Sequence, residues 1–248
     1  MRNLKSHNVL AAFFFLIALL FSFNTEAKVI PKQAKVLIFS FTKGFRHGSI
    51  KEGILAIKKL GNEKGLDVEA TEDVNAFTSE NLKKYKLLVF LSPTGSDVFT
   101  ADQKDALKWY INNGGGLVGI HAATDFCYEW EWYGKMIGGY FENHPAVQKV
   151  KLDIVMPKNK MVKGLPQPWM HTDEWYNFKN VNPDIKVLIK ADETSYKGGT
   201  MKNNHPVSWY HEFDGGKVFY TALGHTNECF VDPLFLTHLW AGMKWAMK

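Results

Sequence analysis

Cysteine is scarce: two residues in 248, Cys127 and Cys229, with no metal-knuckle spacing around either. A disulfide framework is excluded as the basis of stability, although one Cys127–Cys229 pair stays open. No block of five or six like charges occurs, and the lysines are dispersed without interleaved aromatics. That pattern excludes nucleic acid as a partner. There is no GxGxxG, no phosphate-cradling glycine loop, no HExxH and no close histidine pair on a helix face. Dinucleotide binding and zinc-protease chemistry are left without a motif. The longest apolar run, Val9 to Phe23, has 15 residues, against the roughly 20 that span a bilayer.

That run has the form of an export signal. Arg2 and Lys5 precede it, and Thr25-Glu26-Ala27 offers a small residue for cleavage. No cysteine follows it to accept a lipid. The expectation is a signal peptide over 1–27 and one mature domain over 28–248, periplasmic or secreted, with no stable membrane span after processing. One core can serve a chain of roughly 200–250 residues. The formal charge of +5 falls to about +4 without the first 27 residues, which carry two basic and one acidic side chain. Aromatics make up 14%, with eight Trp. Most large aromatics are core residues, but sugar clefts also use them. A homo-oligomer is compatible with this composition.

The first half alternates strand and helix. Strands are predicted at 35–39, 66–70, 87–91 and 117–120. Helices are predicted from Ser49 (with Ile50, Ile54, Ile57 and Leu60 in phase), at 79–84, and at 101–113 behind a Thr100 cap. Such alternation specifies a parallel sheet with right-handed crossovers. The second half is strand-rich, with candidates at 147–155, 174–178, 186–191, 207–210 and 217–223, and few helices between them. It is expected to be partly antiparallel. Pro233 opens a final apolar helix over 234–247.

In open parallel sheets, ligands bind beyond the carboxyl ends of the strands. The loops there are Thr42–His47, Thr94–Asp97, His121–Asp125 and His225–Asn227. Gly119-Ile-His121-Ala-Ala123 has the shape of a nucleophile elbow, with histidine at the elbow. An imidazole there suits a general base or a metal ligand. His225 follows a later strand in the same way. His171-Thr-Asp173-Glu174 gathers two carboxylates; if Glu174 opens a strand, at most one of them faces a cleft. His121, His144 and His225 could hold a divalent metal such as zinc, although their spacing is irregular. Arg46 could bind an anionic group, and His47 could act as acid or base.

The blocks FTKGFRHGSI, GGGLVGIHAATDFCYEWEWYGKMIGGYFENHP, HTDEWYNF and HPVSWYHEFDGGKVFYTALGH resemble the ThuA-like (trehalose utilisation) family, in that order, from about Lys35 to Lys248. The resemblance implies a flavodoxin-like, doubly wound α/β sheet similar to class I glutamine amidotransferases, mainly parallel with antiparallel additions in the second half. In those enzymes a cysteine occupies the elbow and a histidine follows a late strand. Here His121 stands at the elbow and His225 matches the late histidine. Thiolate-based glutamine hydrolysis is therefore excluded, because Cys127 lies six residues beyond the elbow.

The resemblance implies a role in the catabolism of trehalose, related disaccharides or 3-keto-glycosides. The first reading is an enzyme on a small carbohydrate. His121 would be base or metal ligand, Glu174 or Asp173 its partner, and His225 the acid. His144 belongs to the same site, and Trp130, Trp132, Tyr133 and Trp175 would stack on the sugar. The competing reading is a sugar-binding module on a fold that has lost its nucleophile. An amidase or peptidase lacks a nucleophile beside a histidine.

Overall fold

A computed structural model describes residues 33–202 and 204–248. The expected signal peptide at 1–27 lies outside the described residues. Among those described, no helix is long and apolar enough to cross a membrane.

The first half folds as its periodicity requires. The strands β1 (Lys35–Phe39), β2 (Asp67–Thr71), β3 (Leu87–Leu91) and β4 (Gly116–Ile120) alternate with the helices α1 (Ile50–Glu63), α2 (Ser79–Leu82) and α3 (Ala101–Asn112). Strands β3 and β4 are buried throughout, as strands covered on both faces must be. Thr100 and Gln103 form the expected capping box on α3. Ser49 makes no cap on α1. Its hydroxyl instead donates to the Gly224 carbonyl at 2.8 Å, tying the start of α1 to a loop 175 residues away.

The second half contributes α4 (Glu131–Ile137), β5 (Tyr140–Asn143), β6 (Gln148–Ile154), β7 (Trp169–Asp173), β8 (Asn177–Lys179), β9 (Lys186–Ala191), β10 (His205–Phe213), β11 (Gly216–Thr221) and α5 (Pro233–Ala246). Nine strands form one sheet in the order β2-β1-β3-β4-β11-β10-β9-β6-β7. The strands from β2 to β11 are parallel neighbours, and the pairings from β11 onward to β7 are antiparallel. Strands β5 and β8 make a separate antiparallel pair. The predicted strand at 174–178 is displaced: β7 ends at Asp173, Glu174 lies in the connection, and β8 starts at Asn177. Strands β5 and β7 had no clear alternation to announce them.

Helices cover both faces. A Cβ on Gly119 of β4 would meet Ile137 of α4 at 2.4 Å, and one on Gly116 would meet the Ala246 carbonyl of α5 at 2.3 Å. Only glycine permits both approaches, so α4 and α5 press on opposite sides of one strand. The fold is the doubly wound, mainly parallel sheet expected from the sequence.

This topology sets the site. β1, β4 and β11 run in one direction, so the residues just beyond them meet at one rim. Following the alternation of pairings through β10, β9 and β6, β7 points the same way. Glu174 thus leaves its strand on the side where His121 and His225 leave theirs.

Candidate active site

His121 is the first residue after β4 and adopts φ +48°. Side chains other than glycine pay of order 1–3 kcal/mol for such backbone, and it persists where surrounding structure enforces it. The enforcing contacts are visible. Tyr220 Oη donates to the His121 carbonyl at 2.7 Å, and His121 Nδ1 lies 2.8 Å from the Ala222 carbonyl. A carbonyl only accepts, so Nδ1 carries a proton, and Nε2 is the ring nitrogen turned toward Glu174 and His225.

That nitrogen faces two other groups. His121 Nε2 is 3.4 Å from Glu174 Oε2 and 3.3 Å from His225 Nδ1, and His225 Nδ1 is 3.1 Å from the same Glu174 oxygen. The other Glu174 oxygen lies 2.9 Å from His144 Nδ1. One carboxylate therefore meets three imidazoles. Burial pushes the Glu174 carboxyl up, but hydrogen bonds and charge from His121 and His225 outweigh that and hold it well below the usual carboxylate range. In return Glu174 raises His225, against the effect of burial.

His47, from the loop after β1, closes the cluster. Its ring sits edge-on to His121 and His225, with centroids 4.7 and 5.3 Å away. Burial, then the neighbouring imidazoles, lower it to about 3, so it is neutral. Its Nδ1 is buried without a hydrogen-bond partner. The ligating atoms of His47, His121, Glu174 and His225 lie within 4.8 Å of one another.

The cluster opens into a pocket of about 310 Å³ lined by Phe45, His47, Asp125, Phe141, His144, Glu174, Tyr176 and His225. This is the small end of the range for ligand pockets, about 300–1,000 Å³. Tyr176 lies against His121 (4.3 Å) and Phe141 (4.2 Å). Burial raises Asp125, whose carboxylate accepts from Tyr128 Oη at 2.7 Å. Two other hollows, between α1 and the turn at 227–231 and beside α5, bring no imidazoles together.

Several sequence expectations need correction. Asp173 does not enter the pocket. It is fully buried behind it, accepting from Gly224 N (2.8 Å), Thr226 N (3.2 Å) and the Cys229 thiol (3.1 Å). It therefore holds the backbone that presents His225. His121 is itself fully buried beneath the pocket and not on its wall. Trp175 and Tyr133 are buried and donate to the carbonyls of Gln148 and Ala123. Trp130 and Trp132 stack on each other, and Trp132 Nε1 donates to Asp214. None of these four lines the pocket; Phe45, Phe141 and Tyr176 do. Arg46 pairs with Glu72 at 2.7 Å in solvent. Cys127 and Cys229 are both free. His144 lines the pocket but stands outside the cluster of four, where His47 takes the place expected for it.

Sequence reasoning passed over Asp125, Phe141 and Tyr176. Asp125 closes the loop after the elbow, a position the rim rule covers; Phe141 comes from β5, which had no recognisable signal, and Tyr176 from the β7–β8 connection, where a strand over 174–178 was expected.

Comparison with known proteins agrees with the fold. The trehalose utilisation (ThuA) family model matches residues 35–246. A ThuA-like protein from Bacteroides uniformis is 26% identical and superposes with a TM-score of 0.73 over 87% of this chain and 92% of its own. One from Parabacteroides merdae is 22% identical, with a TM-score of 0.70 over 88% and 91%. A β-galactosidase from Bacillus circulans is 15% identical and matches 85% of this chain through 30% of its own (TM-score 0.56), a likeness of fold alone. No curated protein matches the chain.

Proposed function

This chain belongs to the ThuA (trehalose utilisation) family, and from that premise we propose that it is an enzyme that breaks down a small keto-sugar or glycoside by proton transfer. The observation that carries this reading is the Glu174 carboxylate, met by His121, His144 and His225 at the wall of a sugar-sized pocket. A retired binding fold would have no need to gather charge of this kind in so confined a space.

A ketone makes the neighbouring C–H acidic. In a 3-keto-disaccharide, removing the C2 proton gives an enolate, and the enolate expels the glycosidic oxygen from C1. The C2–H and C1–O bonds break, a C1–C2 double bond forms, and the departing sugar takes up a proton. Asp125, made more basic by burial, is placed to accept the carbon-bound proton. His225, whose hold on its proton Glu174 strengthens, would supply a proton to the leaving oxygen. Phe45, 67% exposed at the mouth, and Phe141 offer faces for the sugar ring.

The test is incubation of the purified protein with trehalose and with 3-keto-trehalose, followed by NMR. Release of glucose from the keto-sugar, abolished in His225→Gln, is expected. Binding of either sugar without turnover would instead favour the sugar-binding module.

A further inference from the structure

We infer that His121 Nε2, His225 Nδ1 and Glu174 Oε2, with His47 as a fourth ligand, form a binding site for a divalent transition-metal ion of the zinc class. The proposal deepens the reading above, and rests on it only for what the metal would do to a sugar.

Nδ1 of His121 is committed to the Ala222 carbonyl, which leaves Nε2 as the nitrogen open to a ligand. It faces Glu174 Oε2 at 3.4 Å, and both face His225 Nδ1, at 3.3 and 3.1 Å. These three potential ligand atoms converge where the His121 and Glu174 side chains are 0% and 8% exposed. A cation at the centre would meet all three.

The dimensions agree. Nitrogen and oxygen ligands at about 2.0–2.2 Å from zinc lie about 3.3–3.6 Å apart in a tetrahedron. The three edges here are 3.1, 3.3 and 3.4 Å. The buried, unpartnered Nδ1 of His47 is the second, independent sign. A buried nitrogen without a partner is unfavourable, and the His47 ring lies beside the triangle. The contact from His121 Nδ1 to a backbone carbonyl is the outer contact that fixes the tautomer of a metal-bound imidazole. An imidazole-rich donor set suits zinc, nickel or iron and not magnesium, which takes oxygen ligands. With Nδ1 on the metal, the outer nitrogen of His225 would stay available.

A second group, His171, Asp173 and Cys229, also brings metal-ligating types together. Its Asp173 oxygens are already taken by two backbone amides and a thiol that keeps its proton.

The test strips the purified protein with a chelator and titrates it with Zn²⁺ against a chromophoric competitor. One equivalent is expected to bind, without competition from Mg²⁺. His121→Gln and Glu174→Gln are each expected to weaken zinc by about 100-fold or more, and Cys229→Ser to leave it unchanged. Co²⁺ in the unaltered protein keeps the test decisive if a variant fails to fold: visible bands of a low-coordinate nitrogen–oxygen site are expected, without a thiolate charge-transfer band. No stoichiometric binding, equal affinity in the folded His121 and Glu174 variants, or a thiolate band would overturn the proposal. Metal binding without sugar turnover would sink the enzyme reading and leave this one. Turnover by protein shown to bind no metal would do the reverse.

Discussion

Two clusters of metal-ligating side chains, each with histidine and a carboxylate, meet at the adjacent residues Asp173 and Glu174. In front, His47, His225 and Glu174 line the pocket above the buried His121, and His47 Nδ1 has no hydrogen-bond partner. Behind, His171, Asp173 and Cys229 are buried, and every Asp173 contact has a donor. Residue type does not separate them. Access and unmet hydrogen bonding do, because a satisfied buried network is structural and an unsatisfied one at a pocket is poised for a ligand or a proton.

The sharpest way to break this contrast is Glu174→Gln. Turnover of a keto-sugar is expected to fall by about 10²–10⁴-fold, with the melting temperature little changed. A large loss of stability with activity retained would make the front cluster structural. Asp173→Ala should do the opposite first. It strands two amides and a thiol in the interior, for a loss of about 3 kcal/mol or more and a drop in melting temperature of about 6–12 °C. Thermal unfolding that is unchanged would refute the role assigned to Asp173.

Acid should probe the front cluster selectively. His47 is held near 3 in the fold, below the ordinary 6.5 of an unfolded histidine. The unfolded chain takes up a proton below pH 6.5 that the folded chain refuses. The stability this provides is thus complete above pH 6.5 and is lost as pH falls toward about 3, by an amount on the order of a few kcal/mol. In chelator-treated protein, His47→Gln should flatten the denaturant midpoint across that window; an unchanged slope would contradict a neutral His47. The smallest expected effect separates pocket aromatics from core ones. Phe45→Ala should raise KM for the sugar by about 2–10-fold through lost stacking of about 0.5–1.5 kcal/mol, and Trp132→Ala should leave KM alone. Equal effects would mean that the sugar extends beyond the pocket.

Much of this was legible in the chain. The apolar runs at 35–39, 87–91 and 117–120 are strands because only a sheet covered on both sides accommodates them. The rim rule then selected His47, His121 and His225 from nine histidines. The aromatics misled, because a Trp in a loop-like stretch reads the same whether it faces a sugar or, like Trp175, a backbone carbonyl.

Composition, period and strand-end position determined a doubly wound sheet and which imidazoles sit along its edge, since those depend on local pattern and the handedness of short crossovers. Tertiary structure alone decided that Glu174 enters the pocket and Asp173 turns away, that His47 joins the cluster, and that Nε2 of His121 is the nitrogen on offer. Each of these hangs on contacts across 50 or more residues, such as Asp173 to Gly224 and His121 to Ala222, and the direction of a side chain is set by the partner it meets.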